Sequence, residues 1–76
     1  MADTAITPGT QMKLDRHTLG LSLSQMAAML GYRGHTRKQM QYNLEAGIRT
    51  IRPPQHRLMA AYLSGYRPDD WPPQSN

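Results

Sequence analysis

The chain has no cysteine and no phenylalanine, and only five of its 76 residues are acidic. Without cysteine, neither a disulfide bond nor a thiolate–metal bond can stabilise so small a fold. The three histidines, His17, His35 and His56, are well separated, so we expect no metal site and no cofactor. No segment reaches the roughly 18 apolar residues of a membrane span, and no apolar run opens the chain. These absences predict one small cytoplasmic domain with no membrane partner.

Basic residues, by contrast, are concentrated in the middle of the chain. The formal net charge is +4, and between Gly31 and Arg67 the only acid is Glu45. The basic residues of this stretch are Arg33, Arg37, Lys38, Arg49, Arg52, Arg57 and Arg67. Such a segment is typical of proteins that bind a polyanion, although the solvated surface of an ordinary small protein has a similar composition.

Helix-start and helix-stop signals divide the chain into helices, and no segment shows the alternation of a strand. Each predicted helix begins at a polar cap or a proline and ends at a glycine. The predicted helices are Pro8–Leu19, Leu23–Leu30, Arg37–Ala46 and a fourth that runs from Pro53 to just before Gly65. Ser22–Gln25 and Thr36–Gln39 have the spacing of capping boxes. The predicted fold is all-α, with four to five short helices around one core.

The predicted inward-facing residues leave two gaps in the apolar pattern. They are Met12, Leu19, Leu23, Met26, Ala27, Leu30, Met40, Leu44, Leu58, Met59, Tyr62 and Leu63. Asp15 interrupts the first helix, and Gln41 occupies a position three residues before Leu44 where an apolar side chain is expected. Met40 is predicted to replace Gln41 in the core.

Three regions are expected along the chain. Residues 1–6 are predicted to be disordered, residues 7–65 to form the helical domain, and residues 66–76 to form a proline-rich tail. Trp71 in that tail either folds back onto the core or lies in a homodimer interface, and we favour packing onto the core.

The second and third predicted helices, joined by a turn that contains Gly34, have the layout of a helix-turn-helix. Leu19-Gly20-Leu21-Ser22, Met26-Ala27, Leu30-Gly31 and Leu44-Glu45-Ala46-Gly47 resemble motifs of the Cro/cI-type (XRE) helix-turn-helix family. The resemblance implies a lambda-repressor-like fold in which the third helix enters the DNA major groove. It also implies a homodimer. The thirteen residues between Gly31 and Glu45 exceed the family's commonest spacing, so either the turn is longer or the third helix starts earlier.

The third predicted helix carries side chains suited to base contacts, because Arg and Lys donate to guanine and Gln pairs with adenine. The residues predicted to contact bases are Arg37, Lys38, Gln39, Gln41 and Tyr42. Those predicted to contact flanking phosphates are Arg33, His35, Thr36, Arg49 and Arg52. A merely solvated helix usually alternates Glu with Lys, and this one has no acid before Glu45.

The sequence therefore predicts a transcriptional regulator that binds double-stranded DNA sequence-specifically. We expect a repressor or autoregulator that binds an inverted repeat as a homodimer. The alternative is a helical adaptor or inhibitor, such as an antitoxin, whose basic face meets an acidic protein partner. An enzyme is not expected, because Asp69-Asp70 lie on a proline-rich tail that cannot hold a general acid and base in fixed geometry.

Overall fold

The computed structural model describes residues 6–73. Within them the chain forms four α-helices and no strand: α1 (Pro8–Leu19), α2 (Leu23–Met29), α3 (Arg37–Glu45) and α4 (Pro53–Leu63). The all-α prediction is confirmed, and the helices begin where the caps and prolines place them. None of the helices in residues 6–73 is long and apolar enough to cross a bilayer. Residues 1–5 of the predicted disordered start and 74–76 of the predicted tail lie outside the described residues.

Local capping chemistry fixes the starts of α1 and α2. The Thr7 hydroxyl accepts a hydrogen bond from the Thr10 amide at 3.2 Å. At α2 the capping box is complete, because the Gln25 amide donates to Ser22 Oγ at 3.1 Å and the Ser22 amide donates to Gln25 Oε1 at 2.9 Å. Each bond satisfies an amide that the helix leaves unpaired.

The predicted capping box at Thr36 is wrong. Thr36 has φ −92° and ψ −2°, and its side chain makes no capping bond. A capping hydroxyl reaches the amide of the first helical turn from an extended backbone, which Thr36 does not have. The first turn of α3 is instead attached to α2, because Arg37 Nε donates to Ser24 Oγ at 2.8 Å. The connection between α2 and α3 spans residues 30–36, so the extra length lies in the turn.

The core is rich in methionine and lies where all four helices meet. Its buried members are Met12, Leu21, Met26, Met29, Leu30, Leu44, Ile51, Met59 and Tyr62. Leu63, predicted to face inward, is 44% exposed because Met59 and Tyr62 form the buried face of α4. Gln41 is fully buried and Met40 only partly, so the prediction that Met40 replaces Gln41 is wrong.

A buried ion pair explains the gap in the apolar face of α1. The inward residue is Arg16 rather than Asp15, and its guanidinium forms a bidentate pair with Glu45 at 2.8 and 3.1 Å. Arg16 Nη1 also donates to the Leu21 carbonyl at 3.1 Å. Near the start of α1, Gly9 also lies close to the end of α3. An added Cβ there would be 2.4 Å from the Glu45 carbonyl oxygen. The charged pair and the glycine together join α1 to the end of α3.

The described part of the tail packs onto the helices. The Trp71 and Tyr62 ring centroids are 5.4 Å apart, and the Arg67 guanidinium carbon is 4.4 Å from the Trp71 centroid. Gln25 Nε2 donates to the Pro73 carbonyl at 3.0 Å. The prediction that Trp71 folds back onto the core is confirmed.

Candidate nucleic-acid interface

The solvent-facing side of α3 is polar and carries no exposed carboxylate. Lys38, Gln39 and Tyr42 are exposed, and the Tyr42 side chain is 51% accessible. The most extensive contact between helices is that between α2 and α3, so α2 supports α3 from behind. The outward side chains of α3 are thus presented on a helix whose position is fixed.

A groove of about 640 Å³ runs between the start of α2 and the start of α3, and we call it the α2–α3 groove. It is lined by Arg16, Ser22, Leu23, Ser24, Gly34, His35, Arg37 and Lys38. Leu23 also lines two further depressions, one with Lys38, Gln39 and Tyr42 and one with Lys13 and Tyr42. The three depressions therefore adjoin, and together they form one surface along α3.

The exposed charges along α3 are positive because the acidic side chain of this helix, Glu45, is buried. Glu45 is the only acid between Gly31 and Arg67, and it is 9% exposed and paired with Arg16. The basic residues of the same stretch lie on the surface, with only Arg37 partly buried. A surface whose cations are exposed, and whose one carboxylate is buried in an ion pair, attracts anions.

Gln41, predicted to contact bases, is not on this surface. Its Nε2 donates to Glu45 Oε2 at 2.7 Å and to Met12 Sδ at 3.3 Å. The fully buried amide completes the polar network of the α1–α3 contact and has no path to a ligand. The prediction that Gln41 binds DNA is wrong, because the position follows the inward face set by Leu44.

The structure brings some of the other predicted residues together and separates the rest. His35, Arg37 and Lys38 share the α2–α3 groove, and Gln39 and Tyr42 adjoin it. Thr36 is exposed in the turn beside them. Arg49 and Arg52 line a separate concavity of about 350 Å³ in the loop after α3. Arg33 faces a different groove beside the tail.

Two polar side chains of α3 are held by neighbours. Gln39 Nε2 donates to Asn43 Oδ1, one turn further along α3, at 2.9 Å. The bond between Arg37 Nε and Ser24 Oγ fixes one edge of that guanidinium against α2. A side chain held in this way loses less conformational entropy when it binds.

The surface also has contributors that were not predicted, among them Lys13, Leu23 and Ser24. Lys13 reaches it from α1, and Ser24 and Leu23 reach it from the first turn of α2. The Ser22–Gln25 box could have indicated Ser24, since it fixes the start of α2 beside the turn. The contribution of Lys13 depends on how α1 crosses α3, and no local sequence motif predicts that crossing. Residues 6–73 contain no group of three His, Asp or Glu side chains that could hold a metal ion.

Comparison with known proteins gives no family model, no curated protein and no solved structure that matches this chain.

Proposed function

We propose that this chain binds double-stranded DNA sequence-specifically through α3 and acts as a transcriptional regulator. α3 has nine residues, and at 1.5 Å per residue it is about 13–14 Å long. The major groove is about 12 Å wide and admits one helix. In the proposed complex α3 lies in the groove and α2 crosses above it, as the resemblance to Cro/cI-type proteins implies.

The observation that carries this proposal is the absence of any exposed carboxylate from residues 31–67. Glu45 is buried against Arg16, whereas Lys38, Arg49 and Arg52 are exposed. A surface helix that serves only solubility usually mixes both charge signs for pairing along the helix. Cations along a polar helix that has no exposed carboxylate favour a polyanionic ligand.

Base contacts are assigned to the exposed side chains of α3. Lys38 has the donors for guanine O6 and N7, and the Gln39 amide has the donor and acceptor for adenine. Tyr42 offers an apolar ring edge to a thymine methyl group. Arg37, with one edge fixed on Ser24, contributes from the N-terminus of α3.

Phosphate contacts are assigned to residues on either side of α3. His35 and Thr36 lie in the turn before it, and Arg49 and Arg52 lie in the loop after it. Phosphates line both walls of the major groove, so cations on both sides fix the helix without selecting a sequence. Arg33, which faces a different groove beside the tail, is also assigned a phosphate contact.

A homodimer is part of the proposal, because one module of this size contacts few base pairs and a two-fold assembly doubles them. Such a dimer would bind an inverted repeat, and binding at a promoter would repress transcription. The expected role is therefore that of a repressor or autoregulator.

A salt titration tests the proposal. Double-stranded DNA is first selected from a random pool with the purified protein, and affinity is then measured from low to high salt by fluorescence anisotropy. About six phosphate contacts should give a slope of log Kobs against log salt near −5. Selection of a defined sequence together with this slope supports the proposal. A nearly flat response with no selected sequence would refute it and favour the protein-binding adaptor.

A further inference from the structure

The tail carries two exposed carboxylates on a backbone segment that is attached to the helices. Arg67 Nη1 donates to the Tyr62 and Tyr66 carbonyls, both at 2.8 Å, and the Trp71 amide donates to the Pro68 carbonyl at 3.0 Å. With the Trp71 ring on Tyr62 and Pro73 bound by Gln25, the segment is attached at both ends. Asp69 and Asp70 lie between these attachment points.

These carboxylates share a groove with Arg33 and with Arg37 of the candidate interface. The groove, which we call the tail groove, has a volume of about 440 Å³ and is lined by Arg33, Arg37, Asp69 and Asp70 around Met29 and Trp71. It is thus bordered by basic residues of the turn and of α3 and by acidic residues of the tail. Burial raises the pKa of Tyr62, and Asp70 makes a smaller contribution in the same direction.

Arg37 connects the tail groove with the proposed DNA surface. It lines the α2–α3 groove together with His35 and Lys38, and it also lines the tail groove together with Asp69 and Asp70. The tail carboxylates therefore border the start of α3, the part of the helix that is assigned to DNA. Two unit charges within a Debye length of about 8 Å interact appreciably at physiological salt.

We propose that the docked tail is an autoinhibitory element that weakens DNA binding, because Asp69 and Asp70 shield Arg33 and Arg37 from DNA phosphates. The inference rests on the proposed function and adds regulation to it. Release of the tail, or neutralisation of its carboxylates, exposes the two arginines and strengthens binding. With the tail docked, the chain therefore binds DNA less tightly than it does with the tail released.

The test compares single neutralisations that change the net charge equally. Asp69→Asn and Asp70→Asn should each raise affinity for DNA about two- to threefold at low salt, the size of effect expected for one surface charge in water. Asp15→Asn, on α1, is the matched control because Asp15 lines neither groove, and it should change affinity much less. The difference between tail and control variants should shrink as salt is raised.

A double-variant cycle identifies the target of the shielding. In an Arg33→Gln background the gain from Asp70→Asn should be smaller than in the parent chain, because one shielded cation is gone. An unchanged gain would overturn the shielding of Arg33. Trp71 fluorescence and thermal melting verify that the tail remains docked in Asp69→Asn and Asp70→Asn. A shift of the Trp71 emission together with a rise in affinity would show that neutralisation acts by releasing the tail, which still supports autoinhibition. A shift without a rise in affinity would overturn the proposal.

Failure of this inference is distinguishable from failure of the proposed function. If the unaltered chain binds DNA with the expected salt dependence but all three neutralisations act equally, only the autoinhibition is refuted. If the unaltered chain shows no salt-dependent binding to any double-stranded DNA, the proposed function fails and the inference fails with it.

Discussion

Gln41 and Gln39 are the same residue type on the same helix, but the structure gives them opposite roles. Gln41 is fully buried and donates to Glu45, and its Oε1 has no hydrogen-bond partner among the described residues. Gln39 is exposed, and its side chain donates to Asn43. Position around the helix, rather than residue chemistry, separates a structural amide from a candidate base contact.

The first prediction uses this pair. Gln41→Ala should lower the free energy of unfolding by about 2–4 kcal/mol, because it removes a hydrogen bond to a carboxylate and leaves a cavity. Gln39→Ala should change stability by less than about 0.5 kcal/mol, as surface substitutions usually do. Urea denaturation measures both. Unchanged stability of Gln41→Ala with selective loss of DNA affinity would restore Gln41 to the interface.

The second prediction concerns Lys38, the exposed cation of α3. Lys38→Ala should weaken binding to the selected DNA site by about 1–3 kcal/mol while affecting random DNA less, since a base contact distinguishes sequences. Arg57→Ala removes the same charge from α4, where Arg57 is exposed, and should reduce both affinities slightly and equally. Anisotropy titrations on both DNAs measure the difference. Equal losses for Lys38→Ala on the two DNAs would reduce Lys38 to a phosphate contact.

The third prediction follows from Tyr62. Burial, with smaller contributions from Asp70 and Tyr66, raises the pKa of Tyr62 above its ordinary value near 10. The folded state therefore retains the phenol proton longer than the unfolded state. The resulting stabilisation is complete below pH 10 and is lost as the pH rises through the folded pKa.

Thermal melting above pH 10 measures this loss. Tyr62→Phe should lose about 0.5–1.5 kcal/mol at neutral pH, because the Tyr62 hydroxyl donates to the Met29 carbonyl at 2.7 Å. It should also show a shallower alkaline decline than the parent chain. If the melting temperatures of the parent chain and of Tyr62→Phe fell equally above pH 10, ionisation of Tyr62 would not be the cause of the alkaline destabilisation.

At the scale of helices, the contact between α1 and α3 depends on a residue without a side chain. An added Cβ on Gly9 would lie 2.4 Å from the Glu45 carbonyl oxygen and 2.7 Å from that of Leu44. These are backbone atoms of α3 and cannot rotate away. The close approach also brings Arg16 within reach of Glu45.

The fourth prediction is that Gly9→Ala destabilises the fold although alanine is the better helix former. The propensity gain is at most about 1 kcal/mol, whereas overpacking costs typically about 1–3 kcal/mol. Lys13→Ala, at an exposed position of the same helix, should leave the melting temperature nearly unchanged. A Gly9→Ala variant that melts at or above the parent temperature would show that α1 can move away from α3 without penalty.

The elements that sequence predicted correctly are those fixed by local chemistry. Thr7, the Ser22–Gln25 box and the prolines at the start of α4 act within one turn, so they identify helix starts without any tertiary information. The Thr36 box failed because the preceding turn sets a backbone conformation that the motif alone does not encode.

The candidate interface was predictable only in part for the same reason. Lys38, Gln39 and Tyr42 follow from the helical period once Leu44 is placed inward. The burial of Gln41 depends on Arg16 and Glu45, which meet across 29 residues of sequence. Such a pair interrupts the apolar face of each helix. The sequence shows the two interruptions but does not show that the polar residues there contact each other.

At the scale of the whole molecule, the fifth prediction concerns the proposed homodimer. Its DNA site should be an inverted repeat with half-site centres about 34–36 Å apart, one helical turn, or a multiple of this spacing. Insertion of five base pairs rotates one half-site by about half a turn and should abolish tight binding while leaving weak non-specific affinity. Gel-shift titrations on the two DNAs measure the loss. Equal affinity for both would indicate that each chain binds alone.

The composition of the core has a practical consequence for following this molecule in solution. The chain has no phenylalanine, and every helix carries a methionine. Met12 on α1, Met26 and Met29 on α2 and Met59 on α4 lie in the core, and Met40 on α3 is partly buried. Labelling of methionine methyl groups alone therefore gives an NMR spectrum with at least one reporter on each helix. On addition of selected DNA the Met40 resonance should move most, and that of deeply buried Met59 should move little.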